Sequence, residues 1–318
     1  DRVHDHRFRP PLRFERGCGH GRDDLCHLRI PSPQRCERCT PDPSSRQSAC
    51  EPLIRTPPKT RSAAMHDAHS HLHLFNHAPE WLAQSPTAPQ VSLVSALHPS
   101  DWERLSTLHS LHPHRIRPAF GIHPWHAQLL PPAWQDLLRS RLQSIPEAAI
   151  GECGLDRRNS PASLEEQSRL LDAQLHIARE FGRGVVLHVV NAWDIAIPML
   201  ERVPPHIPLL LHAFAPKGVS GAPWKRWNAW FSFRTQSLVR KNPAMAALIQ
   251  TLPANRLLIE SDACPPLPDT CGNLEEAVCQ PLQLGVSAMA EMLGSSPQEI
   301  EASTDHNFAL WCSACREP

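Results

Sequence analysis

From residue 91 onward, short apolar runs alternate with longer amphipathic stretches. Few architectures accept that alternation, because strand-like and helix-like segments taken in turn imply a parallel sheet flanked by helices. The runs are Val91–Leu97, Ile116–Phe120, Ala148–Ile150, Val185–Leu187, Pro208–Leu211, Trp230–Phe233 and Leu257–Ile259. Helical periodicity falls on Asp101–Leu111, Ala133–Gln143, Leu164–Phe181, Ala192–Arg202 and Pro243–Leu252, with a late pair at Glu275–Leu293 and Pro297–Leu310. Residues 65–318 match the size of a (β/α)8 barrel, about 250 residues. Periodicity alone fits a closed TIM barrel and an open doubly wound sheet equally well.

The ends of the runs carry the chemistry. His66-Asp67-Ala68-His69-Ser70-His71 opens the ordered pattern; on a strand, Asp67, His69 and His71 would share one face, where two imidazoles can chelate one ion. Glu152 follows Ala148–Ile150, His188 follows Val185–Leu187, His212 follows Leu209-Leu210-Leu211, and Glu260-Ser261-Asp262 follows Leu257–Ile259. A lone histidine after three leucines is more often packed or capping, and a lone acid there is more often a helix cap. Recurrence changes this, since five runs ending in nitrogen or oxygen donors are hard to obtain by chance. In a barrel, strand C-termini converge on one mouth, so His69, His71, Glu152, His188, His212 and Asp262 would meet there as metal ligands. Nitrogen and carboxylate donors without thiolate suit Mg, Mn or Zn and do not select among them. The remaining histidines, among 20 in all, show no such placement.

Residues 1–64 read differently. They hold 13 basic and 8 acidic side chains, nine prolines, five of the eleven cysteines, and only nine residues from Val, Ile, Leu and Phe. So few apolar groups can hardly offset the entropy of ordering, and the expectation is a disordered or spurious N-terminal extension, with Met65 as the natural start. The alternative is a small zinc module on Cys18, Cys26, Cys36 and Cys39, for which one CxxC is a weak signal. Lys+Arg and Asp+Glu are both 32, so the chain is no polycation built to coat nucleic acid, and residues 65–318 carry a net −5. No apolar run approaches a membrane span, and residues 1–64 are not expected to act as a secretory signal, since they hold no apolar central stretch. With an odd cysteine count and no disulfide spacing in the barrel, a cytoplasmic, monomeric protein is expected. Cys312-Ser313-Ala314-Cys315 reads as an unpaired tail and Cys264 as packing near the mouth.

The ordered motifs Asp67-x-His69-x-His71, Gly121-Ile122-His123-Pro124, Gly151-Glu152-Cys153-Gly154-Leu155-Asp156, His188, His212-Ala213-Phe214 and Glu260-Ser261-Asp262 resemble the TatD family of metal-dependent deoxyribonucleases, which are amidohydrolase-like TIM barrels. The resemblance extends to Asn307-Phe308 and covers essentially all of 65–318 and none of 1–64. It implies a dinuclear site, with His69, His71, Glu152 and Asp262 on one ion and Glu152, His188 and His212 on the second. It also implies hydrolysis of phosphodiesters at DNA 3′ ends. Asp262 would orient the nucleophile and accept its proton, with His123 and Glu260 as partners positioning ligands or substrate. Arg157, Arg158 and Lys217 are candidate phosphate contacts and Trp125 a candidate base-stacking surface. The chain departs from the family at Trp125, where a second histidine is usual, at Val190, where an arginine is common, at Ser261 in place of threonine, and at Ala215-Pro216-Lys217-Gly218 in place of a small Ser-Gly turn. These changes spare the ligands and alter their surroundings. Hydrolysis of a lactone, amide or aminoacyl ester on the same barrel is therefore the second reading, and a metal-binding scaffold without activity the third.

Overall fold

A computed structural model describes residues 65–240, 242–266 and 273–315; the expectations for residues 1–64 lie outside the described residues. Eight strands, β1 (Asp67–Ser70), β2 (Ser92–Ser95), β3 (Ile116–Phe120), β4 (Ala149–Asp156), β5 (Val185–Val190), β6 (Leu209–Leu211), β7 (Ala229–Arg234) and β8 (Leu257–Glu260), pair side by side in chain order. Every pairing is parallel. Backbone bonds from Asp262 N to His69 O (2.9 Å) and from His71 N to Ala263 O (2.8 Å) join the end of β8 to the end of β1 and close the circle at the mouth. The closed barrel is thus the outcome that periodicity left undecided.

The helices are α1 (Ala78–Gln84), α2 (Trp102–Leu111), α3 (Trp134–Ser144), α4 (Leu164–Phe181), α5 (Trp193–Leu200), α6 (Thr235–Val239), α7 (Pro243–Thr251), α8 (Gln280–Leu293) and α9 (Pro297–Ala314). Helix α4 shows how they form. Ser163 and Glu166 cap its start reciprocally, Gly182 ends it at φ 63°, and Leu170, Leu171, Leu175 and Ala178 bury one face. Burial of each leucine contributes roughly 1.5–3 kcal/mol. Helices α1 and α6 escape a periodicity search because seven and five residues are too short to repeat a face.

One inward residue per strand builds the interior layer: Ala68, Leu93, Ala119, Ala149, Val186, Leu210, Trp230 and Leu258, with Phe308 and Trp311 of α9 packed on it. Small residues on β1, β3 and β4 leave room for Trp230. Asn307 donates to the carbonyls of Ala254 and Leu257 (2.9 and 3.0 Å), which ties α9 to the start of β8, the end opposite the mouth. Strand alternation then dictates what lies above this layer. Two residues beyond Val186, Leu210, Trp230 and Leu258 stand His188, His212, Ser232 and Glu260; two further on β7 and past β8 stand Arg234 and Asp262.

Strand β1 breaks the rule. Ala68, between the two residues assigned to one face, is the one that joins the interior layer, and the β1–β2 register shifts between Asp67 and Ser70. That irregularity allows both His69 and His71 to reach the mouth, where simple alternation would have carried Asp67 with them. Asp67 instead accepts from Ser261 N (2.9 Å) and Ser261 Oγ (2.6 Å), locking β1 to the residue before Asp262. Burial pushes the Asp67 carboxyl up to about 7, although the Ser261 bonds oppose it.

Glycines permit the close approach of β4 to its neighbours. A Cβ on Gly154, whose φ is +150°, would stand 1.8 Å from the carbonyl oxygen of His188. Gly154→Ala is therefore expected to push β5 outward at a candidate ligand and to lower stability by about 3 kcal/mol or more, combining overpacking with a disfavoured φ. Chemical denaturation checks this; a loss below about 1 kcal/mol would mean that β5 yields freely.

Candidate metal centre

Glu152 stands at the middle of the mouth, 2% exposed, and its two oxygens face opposite sets of imidazoles. Oε2 lies 3.1 Å from His69 Nε2 and 3.4 Å from His71 Nε2. Oε1 lies 2.7 Å from His188 Nδ1, 3.5 Å from His123 Nε2 and 3.8 Å from His212 Nε2. Asp262 completes the ring: its Oδ1 is 3.8 Å from both His69 and His71 and 3.9 Å from His212. The rings of His69 and His212 stack with centroids 3.9 Å apart. All six residues named as ligands converge. Among the described residues, three groupings are compact enough to hold an ion: His69, His71 and Asp262; His69, Glu152 and His212; His123, Glu152 and His188.

Partners behind the rings fix which nitrogen faces the centre. His71 Nδ1 donates to the Ser95 carbonyl (2.8 Å), which leaves the Nε2 lone pair pointing inward. His212 Nδ1 donates to Glu260 Oε2 (2.9 Å). Glu260 is fully buried and also accepts from Ala213 N (2.9 Å) and Ser232 Oγ (2.5 Å), so it is a bracket for His212, reached through the strand β7. Such carboxylate–histidine pairs orient metal-binding imidazoles and raise their basicity. His123 differs. Its Nδ1 accepts from Trp125 N (3.3 Å), so in the neutral ring the proton sits on Nε2, facing Glu152. Burial and the neighbouring His188 push His123 down to about 4, against the pull of Glu152, so the ring is neutral at pH 7.

The electrostatics suit an ion. Burial works against charge on Glu152, yet His69, His212 and His123 hold its carboxyl well below the usual range. Burial likewise disfavours protonated His212, but Glu260, Asp262 and Glu152 outweigh it and raise the group to about 10. A buried ring that retains its proton only because three carboxylates surround it is a place where a cation can substitute for that proton. His188 Nε2 is buried without a hydrogen bond, 3.5 Å from Asp156 Oδ2. The residues fit a divalent metal on these grounds, with oxygen and nitrogen donors only.

Ser95 and Arg234 serve the site without having been named from the sequence, and Asp156, quoted there only as the end of the Gly151–Asp156 motif, serves it too. Asp156 accepts from Trp125 Nε1 (2.7 Å), Arg158 N (2.9 Å) and Asn159 N (2.9 Å), and so connects the exposed indole to the edge of His188. It stands at the end of β4, where the run-end rule could have found it beside Glu152. Arg234 Nε lies 3.1 Å from Asp262 Oδ2, at the end of an apolar run that closes on a cation and so carries no metal-donor signal. Of the candidate substrate contacts, Trp125 is 42% exposed and stands edge-on to His123, with centroids 4.6 Å apart. Arg157 bonds Asn191 O and Asp194 Oδ2, both at 2.7 Å, and the side chains of Arg158 and Lys217 are exposed.

A closed (β/α)8 barrel with imidazoles and carboxylates gathered at its C-terminal mouth belongs to the class of metal-dependent barrel hydrolases acting on ester bonds. Residues 66–312 match the family model described as TatD related DNase, and the chain belongs to that family. It is 30% identical over 206 residues to the 3′-5′ ssDNA/RNA exonuclease TatD of Cronobacter sakazakii, covering 59% of this chain and 74% of that protein. The same-named protein of Klebsiella pneumoniae is 29% identical over 197 residues, covering 59% and 73%. Among solved structures, YJJV, a TatD homologue from Escherichia coli K12, superposes with a TM-score of 0.65 at 22% identity over 77% of this chain and 96% of that one. A TatD family hydrolase from Entamoeba histolytica gives 0.63 at 13% identity, with the same coverage. These two show the fold.

Proposed function

We propose that residues 65–318 form a phosphodiesterase that removes nucleotides from DNA 3′ ends with two divalent ions, Mg, Mn or Zn. The observation that carries this reading is Glu152, whose oxygens divide the imidazoles into two sets. His69, His71, Glu152 and Asp262 would hold one ion and Glu152, His188 and His212 the other, with Glu152 shared. His123 Nε2, 3.5 Å from Glu152 Oε1, would steady that carboxylate, and Glu260 holds the His212 ring. The naming of relatives as single-strand DNA and RNA exonucleases supports the substrate class.

When bound, the pair of ions supplies Lewis-acid charge and lowers the pKa of a water towards 7. The protein's own residues do the rest. Asp262 orients the attacking water and accepts its proton through a carboxylate oxygen. Trp125 offers an indole face to a terminal base, held in orientation by its bond to Asp156. Arg158 and Lys217 are left to contact phosphates further along the strand, and Arg157 would do so only by exchanging its bonds to Asn191 and Asp194. A single chain suffices for all of these groups, and we take the working form to be a monomer of the cytoplasm. No described helix is long and apolar enough to cross a membrane, and Cys153, Cys264 and Cys279 carry free thiols.

Chelation is expected to abolish trimming of a 3′-labelled single strand, and added Mn or Mg to restore it. Turnover of lactones or aminoacyl esters with no phosphodiester cleavage under any metal would move the chain to the carbonyl class.

A further inference from the structure

The sequence candidates leave the mouth short of cations. Arg157 is committed to Asn191 and Asp194, Arg158 and Lys217 are exposed, and β5 continues beyond His188 with Val189 and Val190. Yet a phosphodiester must approach Glu152, Asp156, Glu260 and Asp262, on a barrel carrying net −5. Resident ions offset part of that repulsion, and a fixed cation beside them would offset more.

Arg234 is placed to be that cation. Alternation along β7 turns Trp230, Ser232 and Arg234 to the inside of the barrel, and the register sets Arg234 beside Glu260 of β8. Its Nε lies 3.1 Å from Asp262 Oδ2, while Asp262 Oδ1 faces His69, His71 and His212. The guanidinium has no other partner among the described residues, and its side chain is 42% exposed. The Nε edge faces a candidate ligand as an ion pair without a hydrogen bond, and the two terminal nitrogens have no partner among the described residues. Two parallel N–H donors at fixed spacing match two oxygens of one phosphate.

We propose that Arg234 is a substrate-binding residue of this site, taking the non-bridging oxygens of a substrate phosphate on its terminal nitrogens while its charge pairs with Asp262. The proposal rests on the phosphodiesterase reading above, and its test reads phosphate binding as well as turnover. Wild type, Arg234→Met and Arg234→Lys, all full-length and metal-loaded, would be compared for KM and kcat on a single-stranded DNA 3′ end, for binding of inorganic phosphate by calorimetry, and for ions per chain. Losing a charge-assisted hydrogen bond costs about 10–100-fold. Arg234→Met is expected to raise KM and the phosphate Kd by that factor with metal content unchanged. Arg234→Lys keeps a charge but not the fork, so it is expected to recover only part of the loss, and it carries the comparison should the apolar variant fold poorly. Unchanged KM and phosphate Kd, with kcat or metal content reduced, would overturn the proposal and leave Arg234 as a counter-ion of Asp262. Should wild type bind phosphate yet cleave no phosphodiester, the reading of the reaction falls, and weaker phosphate binding by Arg234→Met would still uphold the anion contact. Absence of phosphate binding to loaded wild type would overturn it.

Discussion

Glu152→Gln is expected to lower bound metal from about two ions per chain towards zero and to remove most turnover, while the barrel stays folded. Its oxygens point separately at His69 and His71 and at His188, His123 and His212, so one carboxylate stands between both sets. A charge shared by two ions also screens their mutual repulsion. Removing it therefore weakens both sites together, with an effect beyond the ~10–100-fold that follows loss of an outer partner. His188→Ala supplies the contrast. It is expected to lose mainly one ion, because His69, His71, Glu152 and Asp262 remain. Elemental analysis beside circular dichroism measures both, and two ions tightly bound to folded Glu152→Gln would refute the shared assignment.

Asp262→Asn is expected to keep the fold and substantial metal while losing about 10²–10⁴-fold in turnover, the range for removal of a positioned acid–base group. The backbone explains why asparagine is the right probe. Asp262 sits at φ +52°, a left-handed conformation that Asn tolerates nearly as well as Asp and that most other side chains resist. Alanine would confound the chemistry with that strain, whereas asparagine removes the charge, and with it the ion pair to Arg234, in the same backbone conformation. Single-turnover rates, read with metal content and thermal midpoint, separate these effects. Turnover within a few-fold of wild type would show that Asp262 neither orients nor deprotonates the nucleophile.

The six candidate ligands were legible because each is a local event: Glu152, His188, His212 and Asp262 follow apolar runs, and His69 and His71 form an alternating pair. The barrel needs no more than that from strands β4, β5, β6 and β8, since a period of two and a common direction bring their ends to one mouth. Strand limits read from the runs agree with the structure to within a residue or two at Ile116–Phe120, Leu209–Leu211 and Leu257–Glu260. The Ala148–Ile150 run fell short of β4, which continues to Asp156, because Gly151, Glu152 and Gly154 interrupt the apolar signal without interrupting the strand.

Local pattern by itself determined the alternating elements, the ligand types and their placement at strand ends, for these depend on neighbours along the chain. Tertiary structure decided the rest. Closure of the circle depends on bonds between residues near 70 and residues near 262, and the irregular register of β1 depends on its partner strand. The partition of imidazoles between the two oxygens of Glu152, the clamp of Glu260 on His212, the link from Trp125 through Asp156 to His188, and the seat of Arg234 against Asp262 all join separate strands or loops. A hydrogen bond is decided by ångströms in space, and no spacing along the chain encodes the distance between the ends of two strands until the barrel has closed.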